Sequence, residues 1–148
     1  MRPGRSIKMN REDVRIVFGK KSSIDSASNV MKYYKSIGFK VPNGKRSENL
    51  TNTQLRNFLA ITSSIYNIVM SQGPEAVRDK LLYFKIHLIY QAGRNVAVKD
   101  FVELSKLPAA TEKVLSKLDD DDAKEYVIRL CRYMEALVAY FKYYGGKD

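Results

Sequence analysis

The sequence predicts an all-α protein, a compact helical bundle of five or six helices whose second, third and last members are long. Three observations lead there. Near the C-terminus, apolar residues fall at 123, 126, 127, 130, 131, 134, 137, 138 and 141, in steps of three and four, the period of one helix face. At Thr51-x-x-Gln54 a capping-box pattern opens a second long apolar-periodic stretch, with Leu50 placed as its hydrophobic staple. At Gly73-Pro74-Glu75 one helix ends and a third begins, proline in the first turn and an acid near the positive end of the dipole. No alternating strand pattern of the kind that builds an RRM or OB fold accompanies them.

Taken in order, residues 1–24 hold seven basic residues with Pro3, Gly4 and Gly19, and read as a basic flexible arm with at most one turn of structure around residues 12–18. Residues 25–148 form a single helical domain. Asp25 or Ser26 caps a short helix to about Ser36, with Val30, Met31, Tyr34 and Ile37 as its apolar side and Gly38 as its stop. Pro42-Asn43-Gly44 makes a turn, and Lys45 and Arg46 follow it in an exposed loop, where they are candidate phosphate contacts.

The helix from Thr51 to about Ser71 has Leu55, Phe58, Leu59, Thr62, Ile65, Tyr66 and Val69 on one side, and Arg56, Ala60, Ser63, Asn67 and Ser71 on the other. Arg56 is the only charge between Thr51 and Gln72. A polar but nearly uncharged outer face is poorly suited to solubility alone. It suits close approach to another subunit, to a ribose-phosphate backbone, or to a neighbour within the same chain. The next stretch, AVRDKLLYFKIHLIYQAG, is apolar almost all round, which places it at the bundle centre or in a subunit interface, with Gly93 as its stop. Arg94 follows, either hydrogen-bonding the last carbonyls or held there to meet a phosphate. Two short helices follow at residues 98–106 and 111–118, broken at Leu107-Pro108.

The last helix closes at Gly145-Gly146. Its outer face, Arg129, Arg132, Ala136, Ala139 and Tyr143, mixes guanidinium groups, small residues and a ring, and looks prepared to meet a partner.

Charge sharpens that expectation. The net charge is +10, with 12 Lys/Arg against 4 Asp/Glu in residues 1–50 and 14 against 12 in residues 51–148. Basic charge clustered in this way points to a polyanion, nucleic acid before an acidic membrane surface, because no basic amphipathic helix with Trp or Phe anchors accompanies it. There is no apolar run long enough for a membrane span and no secretory signal pattern, and the single cysteine, Cys131, fits a reducing, cytoplasmic setting as a small core hydrophobe.

Chemistry is sparse. No P-loop, GxGxxG, GxSxG, HExxH or CxxC occurs, and His87, the only histidine, has no ligand-spaced partner, so neither metal nor cofactor is expected. Asp119-Asp120-Asp121-Asp122 invites a metal-dependent nuclease reading, since paired divalent ions can drive phosphodiester cleavage. Adjacent residues cannot all converge on one ion pair, and the plainer reading makes Asp122 the cap of the last helix. A helical adaptor that meets only proteins is the other alternative.

Three segments, LTNTQLRNF at 50–58, LIYQAGR at 88–94 and YMEALVAYFKYYGG at 133–146, stand in an order and spacing that resembles the small subunit of the type III-A CRISPR effector, the Csm complex. Phe141 departs from the family pattern, where a histidine is expected. The resemblance implies an all-helical, non-catalytic protein that stacks in several copies along the duplex of guide (crRNA) and target RNA, beside ridge subunits and a large subunit. Matched to the family segments, Arg56, Arg94 and Lys142 are its RNA-binding candidates. Arg129 and Arg132 join them from the helical-face argument, and Lys45 and Arg46 from the loop. A free homodimer exchanging helices is a further expectation from the apolar stretch at 81–89.

Overall fold

A computed structural model describes residues 23–39 and 49–147. Six α-helices make up the described chain: α1 (Ser23–Ser36), α2 (Asn52–Gln72), α3 (Arg78–Arg94), α4 (Val96–Ser105), α5 (Leu107–Ser116) and α6 (Ala123–Tyr143), with a 3₁₀ turn at Pro74–Val77 before α3. The second, third and last are the long ones, as the sequence predicts. Most of the expected N-terminal arm and the whole Lys45–Arg46 loop lie outside the described residues.

Local chemistry sets the helix ends. At the start of α2, Gln54 N donates to Thr51 Oγ1 at 3.3 Å and Thr51 N donates to Gln54 Oε1 at 2.9 Å, so the capping box is complete. Leu50 and Leu55, the staple pair, are both buried. α1 and α6 end by the same device. Gly38 N donates to Lys35 O and Phe39 N to Tyr34 O, while Gly145 N donates to Lys142 O and Gly146 N to Phe141 O. Gly38 (φ 65°) and Gly145 (φ 106°) occupy the left-handed position this motif requires.

Several boundaries differ from expectation. α1 begins at Ser23, so Asp25 sits in its first turn rather than capping it. Gly93 does not stop α3. The helix runs on to Arg94, and Asn95 caps α4 at once, its Oδ1 accepting from Val98 N at 3.1 Å. The break between α4 and α5 falls at Lys106, which turns left-handed (φ 60°), and Pro108 sits inside the first turn of α5, where its missing N–H has no helical partner to lose. Asp122 stands at the cap of α6 but makes no side-chain capping bond.

α6 is the central element, packed against α1 on one side and α2 on the other, while α3 lies across α4 and α5 and reaches α2. Phe58 of α2 joins the two halves: its ring stands edge-on to Phe84 at 6.4 Å and stacks on Phe101 at 6.4 Å. Two buried hydroxyls tie helices together. Tyr34 donates to Asp100 Oδ2 at 2.7 Å and Tyr133 donates to Ser105 O at 2.8 Å. Tyr133 lies outside the apolar stripe read from the sequence. It can be buried because its hydroxyl finds that carbonyl.

α3 corrects the expectation of a helix buried on all sides. Leu81, Phe84 and Leu88 are buried, but Leu82, Ile86 and Ile89 are 44%, 63% and 54% exposed, and Tyr83 and Tyr90 are exposed beside them. α4 and α5 cover only one side of it, so a central position in this bundle is excluded.

Two glycines give a matched test. A Cβ at Gly146 would overlap the Phe141 ring, which is buried and edge-on to Phe39 at 5.2 Å and cannot easily yield. A Cβ at Gly93, inside α3, meets nothing within 4 Å. Gly146→Ala therefore destabilises by about 1–3 kcal/mol, and Gly93→Ala stabilises by about 0.5–1 kcal/mol. Urea midpoints that move in the same direction for both would contradict this packing.

Candidate nucleic-acid interface

The capping box fixes where α2 starts, and its period then decides which residues face out. Thr53, Arg56, Asn57, Ala60, Ser63, Asn67 and Ser71 are all exposed. Arg56 makes no ion pair among the described residues. At about 1.5 Å per residue this face is roughly 27 Å long. Among the described residues it stays exposed because the opposite face carries the buried set Leu55, Phe58, Thr62, Ile65 and Val69.

α2 and α6 run antiparallel: Asn52 N donates to Lys147 O at 2.9 Å at one end, and the Cys131 thiol donates to Thr62 O at 3.3 Å midway. That direction brings the exposed Lys142 to the same end of the pair as Arg56.

Two clefts border the exposed face of α2. One, of about 150 Å³, lies toward α3 and α4 and is lined by Gln54, Asn57, Gln91, Arg94 and Asn95 above Phe58 and Val98. Four carboxamides and one guanidinium meet there with no carboxylate. Two of those amides are oriented. Gln54 Oε1 accepts from Thr51 N and Asn95 Oδ1 accepts from Val98 N, so each leaves an NH₂ group as its free end. Arg94 lies over the Tyr90 ring, 5.5 Å from its centroid, and makes no ion pair among the described residues. The cleft is therefore rich in donors and carries one fixed positive charge, the chemistry a phosphate or ribose oxygen requires.

The other cleft lies between α2 and α6 and holds Ser63, Tyr66, Asn67, Arg132 and Glu135. Arg132 stands over the Tyr66 ring at 5.2 Å, with Nη1 3.5 Å from Glu135 Oε1. The pairing of Ser63 and Asn67 with Arg132 was hidden in the sequence, where Arg132 stands 69 and 65 residues further along. Periodicity passes over Glu135 and assigns Tyr66 only to the apolar side of α2.

The remaining candidates separate. Arg129 is half-buried and turned to Glu125 at 3.9 Å, beside Asp122 in a small depression of its own. Two acids there outnumber one guanidinium. Ala136, expected on the outer face of α6, is buried, so that face narrows at its middle, while Ala139 and Tyr143 are exposed.

The four aspartates are exposed, and two of them face different partners. Asp119 pairs with Arg78 at 3.5 Å and Asp120 with Lys117 at 3.4 Å. Among the described residues no three His, Cys, Asp or Glu side chains converge on a point that would hold a metal ion. His87 stacks on Tyr83 and stands edge-on to Phe58. Nor is any described helix long and apolar enough to cross a membrane.

An all-helical bundle with a basic sequence, a long outer helix face whose only charge is Arg56, and polar clefts at its edges suits an assembly subunit. The family described as Csm2 Type III-A matches residues 14–147. The chain is 40% identical over 99 residues to the CRISPR system Cms protein Csm2 of Streptococcus thermophilus, covering 67% of this chain and 76% of that one. It is 37% identical over 112 residues to the protein of the same name in Mycobacterium tuberculosis, covering 73% and 86%. To the Enterococcus italicus protein of that name it is 36% identical over 103 residues, covering 67% and 71%. The chain belongs to the Csm2 family, the small subunit of the type III-A CRISPR complex.

Cys131 floors the α2–α6 cleft, and burial pushes its thiol up to about 12. In the unfolded chain the thiol titrates near 8.5. Between those values the unfolded state releases a proton that the folded state keeps, so stability is full below pH about 8.5 and falls as pH rises toward 12. Urea unfolding between pH 8 and about 9.5, below the tyrosine range, shows that decline, and Cys131→Ser flattens it. An identical slope in the variant would show that Cys131 does not carry the dependence.

Proposed function

We propose that the chain is a non-catalytic RNA-binding small subunit of a Csm ribonucleoprotein in antiviral defence. It contacts the backbone of the guide and target RNA and the neighbouring ridge and large subunits, in the cytoplasm. The observation that carries this reading is the donor-rich cleft at Arg94, open beside an α2 face whose only charge is Arg56. Hydroxyl, amide and guanidinium donors can follow a sugar-phosphate backbone whatever its sequence, and base pairing between guide and target supplies the specificity. Arg56, Arg94 and Lys142 carry the phosphate contacts, Arg132 of α6, partly neutralised by Glu135, meets the RNA at the other edge of α2, and Lys45 and Arg46 add charge from their loop. Arg129, held by Glu125, contributes least.

The acidic run supports no competing nuclease reading, because Asp119 and Asp120 turn to Arg78 and Lys117 rather than to a common point. The role proposed for the chain is surface chemistry alone, with no bond of the RNA broken by it.

The same reading places copies of the chain beside one another. Leu82, Ile86 and Ile89 recur in steps of four and three along the exposed side of α3, the spacing of a seam that packs against another helix. A second copy presenting the same stripe would cover it, in a free homodimer or between stacked subunits.

RNA affinity of the full chain falls with salt, with a log–log slope of about −0.7 for each phosphate contacted on a single strand. Arg56→Glu together with Arg94→Glu weakens binding by roughly tenfold or more at low salt, with the helical circular dichroism unchanged. Affinity that is flat with salt, or unaltered in the double variant, would remove the mechanism. For self-association, light scattering at high concentration gives a mass above the 17.0 kDa of one chain, and Ile86→Glu returns it to that value. A monodisperse monomer at every concentration would rule out association through α3.

A further inference from the structure

The cleft between α2 and α6 differs in chemistry from its neighbour at Arg94. Its volume is about 170 Å³, well under the roughly 300 Å³ at which pockets for larger organic ligands begin. Its floor is closed and uncharged: Thr62 and Cys131 are buried, and the thiol hydrogen is already donated to Thr62 O. One wall is flat, made of the Tyr66 ring with the Arg132 guanidinium 5.2 Å from its centroid. Glu135 Oε1 pairs with that guanidinium at 3.5 Å. At the rim, the Ser63 hydroxyl and the Asn67 amide are exposed and make no side-chain hydrogen bond among the described residues.

These features select among occupants. A phosphate would sit against the Glu135 carboxylate and would have to displace it from Arg132, a like-charge contact absent from the Arg94 cleft. A cation would find one carboxylate already engaged. An aliphatic side chain would leave Asn67, Ser63 and Glu135 facing it unpaired. A planar heterocycle with N–H donors and ring acceptors on its edge satisfies both the flat wall and the mixed rim, and unstacked RNA bases are bound in this way, on aromatic or guanidinium planes with their edges hydrogen-bonded.

We propose that this cleft receives one unstacked nucleobase of the RNA, a proposal that rests on the RNA-binding reading above. The base stacks on the Arg132–Tyr66 pair. Asn67 and Ser63 bond its edge, and Glu135 accepts from an amino or imino N–H, so a base with adjacent N–H donors, as on guanine, is favoured. The chain would then hold the strand at two kinds of seat on either side of α2, one for a phosphate at Arg94 and one for a base at Arg132.

The test uses the full chain with two single-stranded probes of equal length, an RNA oligonucleotide and its abasic ribose-phosphate counterpart, measured by fluorescence anisotropy at low salt. The wild-type chain binds the base-bearing strand roughly fivefold or more tightly than the abasic one. Ser63→Leu fills the rim from an exposed position, so the helical circular dichroism is kept and the ratio of the two affinities falls toward one. Equal binding of the two strands by the wild type, or a wild-type ratio kept by Ser63→Leu, would overturn the base seat while leaving backbone binding standing. Failure to bind either strand would overturn the RNA-binding reading and the base seat together.

Discussion

The antiparallel packing of α2 against α6 is the constraint on which the rest of the molecule depends. α6 is the central helix, and α2 turns its whole apolar side inward onto α6 and, through Phe58, onto α3 and α4. With that side committed, the polar side has nowhere to go but outward. The staple pair Leu50 and Leu55 and the complete capping box lock the phase at the first turn. A rotation of one residue, about 100°, would bury Arg56 or expose Phe58. The exposed face and the clefts at its edges thus follow from core packing, with no separate device needed to build them.

The two clefts show how similar residue types acquire different chemistry from their neighbours. In the Arg94 cleft, helix capping consumes the acceptor ends of Gln54 and Asn95 and leaves donors facing out. In the Arg132 cleft, Glu135 supplies an acceptor and holds the guanidinium over Tyr66. An arginine beside carboxamides and an arginine beside a carboxylate are not equivalent anion sites, because the second is already partly neutralised.

Much of the fold was legible in the sequence because its signals are local. Thr51 and Gln54, Gly38, Gly145 and the three-four spacing of α6 each act within a turn or two, and each appears where expected. The failures are equally physical. The sequence of α3 looks buried on all sides because hydrophobicity records that Ile86 is apolar, not whether this chain or another covers it. Gly93 and Leu107-Pro108 misplaced helix ends because Asn95 and Lys106 do the terminating, the first through a side-chain cap and the second through a left-handed backbone. For the candidate site, Arg56 and Arg94 could be nominated from residue type and family resemblance. The joining of Ser63 and Asn67 to Arg132 was not, because only the register between α2 and α6 brings them together. Arg129 and Arg132 look alike on a helical wheel, and only their acidic neighbours separate them.

The central claim is that the outer face of α2 meets RNA. Ala60 sits exposed on that face, on the helix both clefts border, and its side chain is small enough to replace without loss of contacts. A photoreactive residue placed there in the assembled ribonucleoprotein tests the claim most directly. Irradiation yields a covalent adduct to guide or target RNA if the account is right. A crosslink formed only to neighbouring protein subunits would contradict it and make the chain a protein-only adaptor.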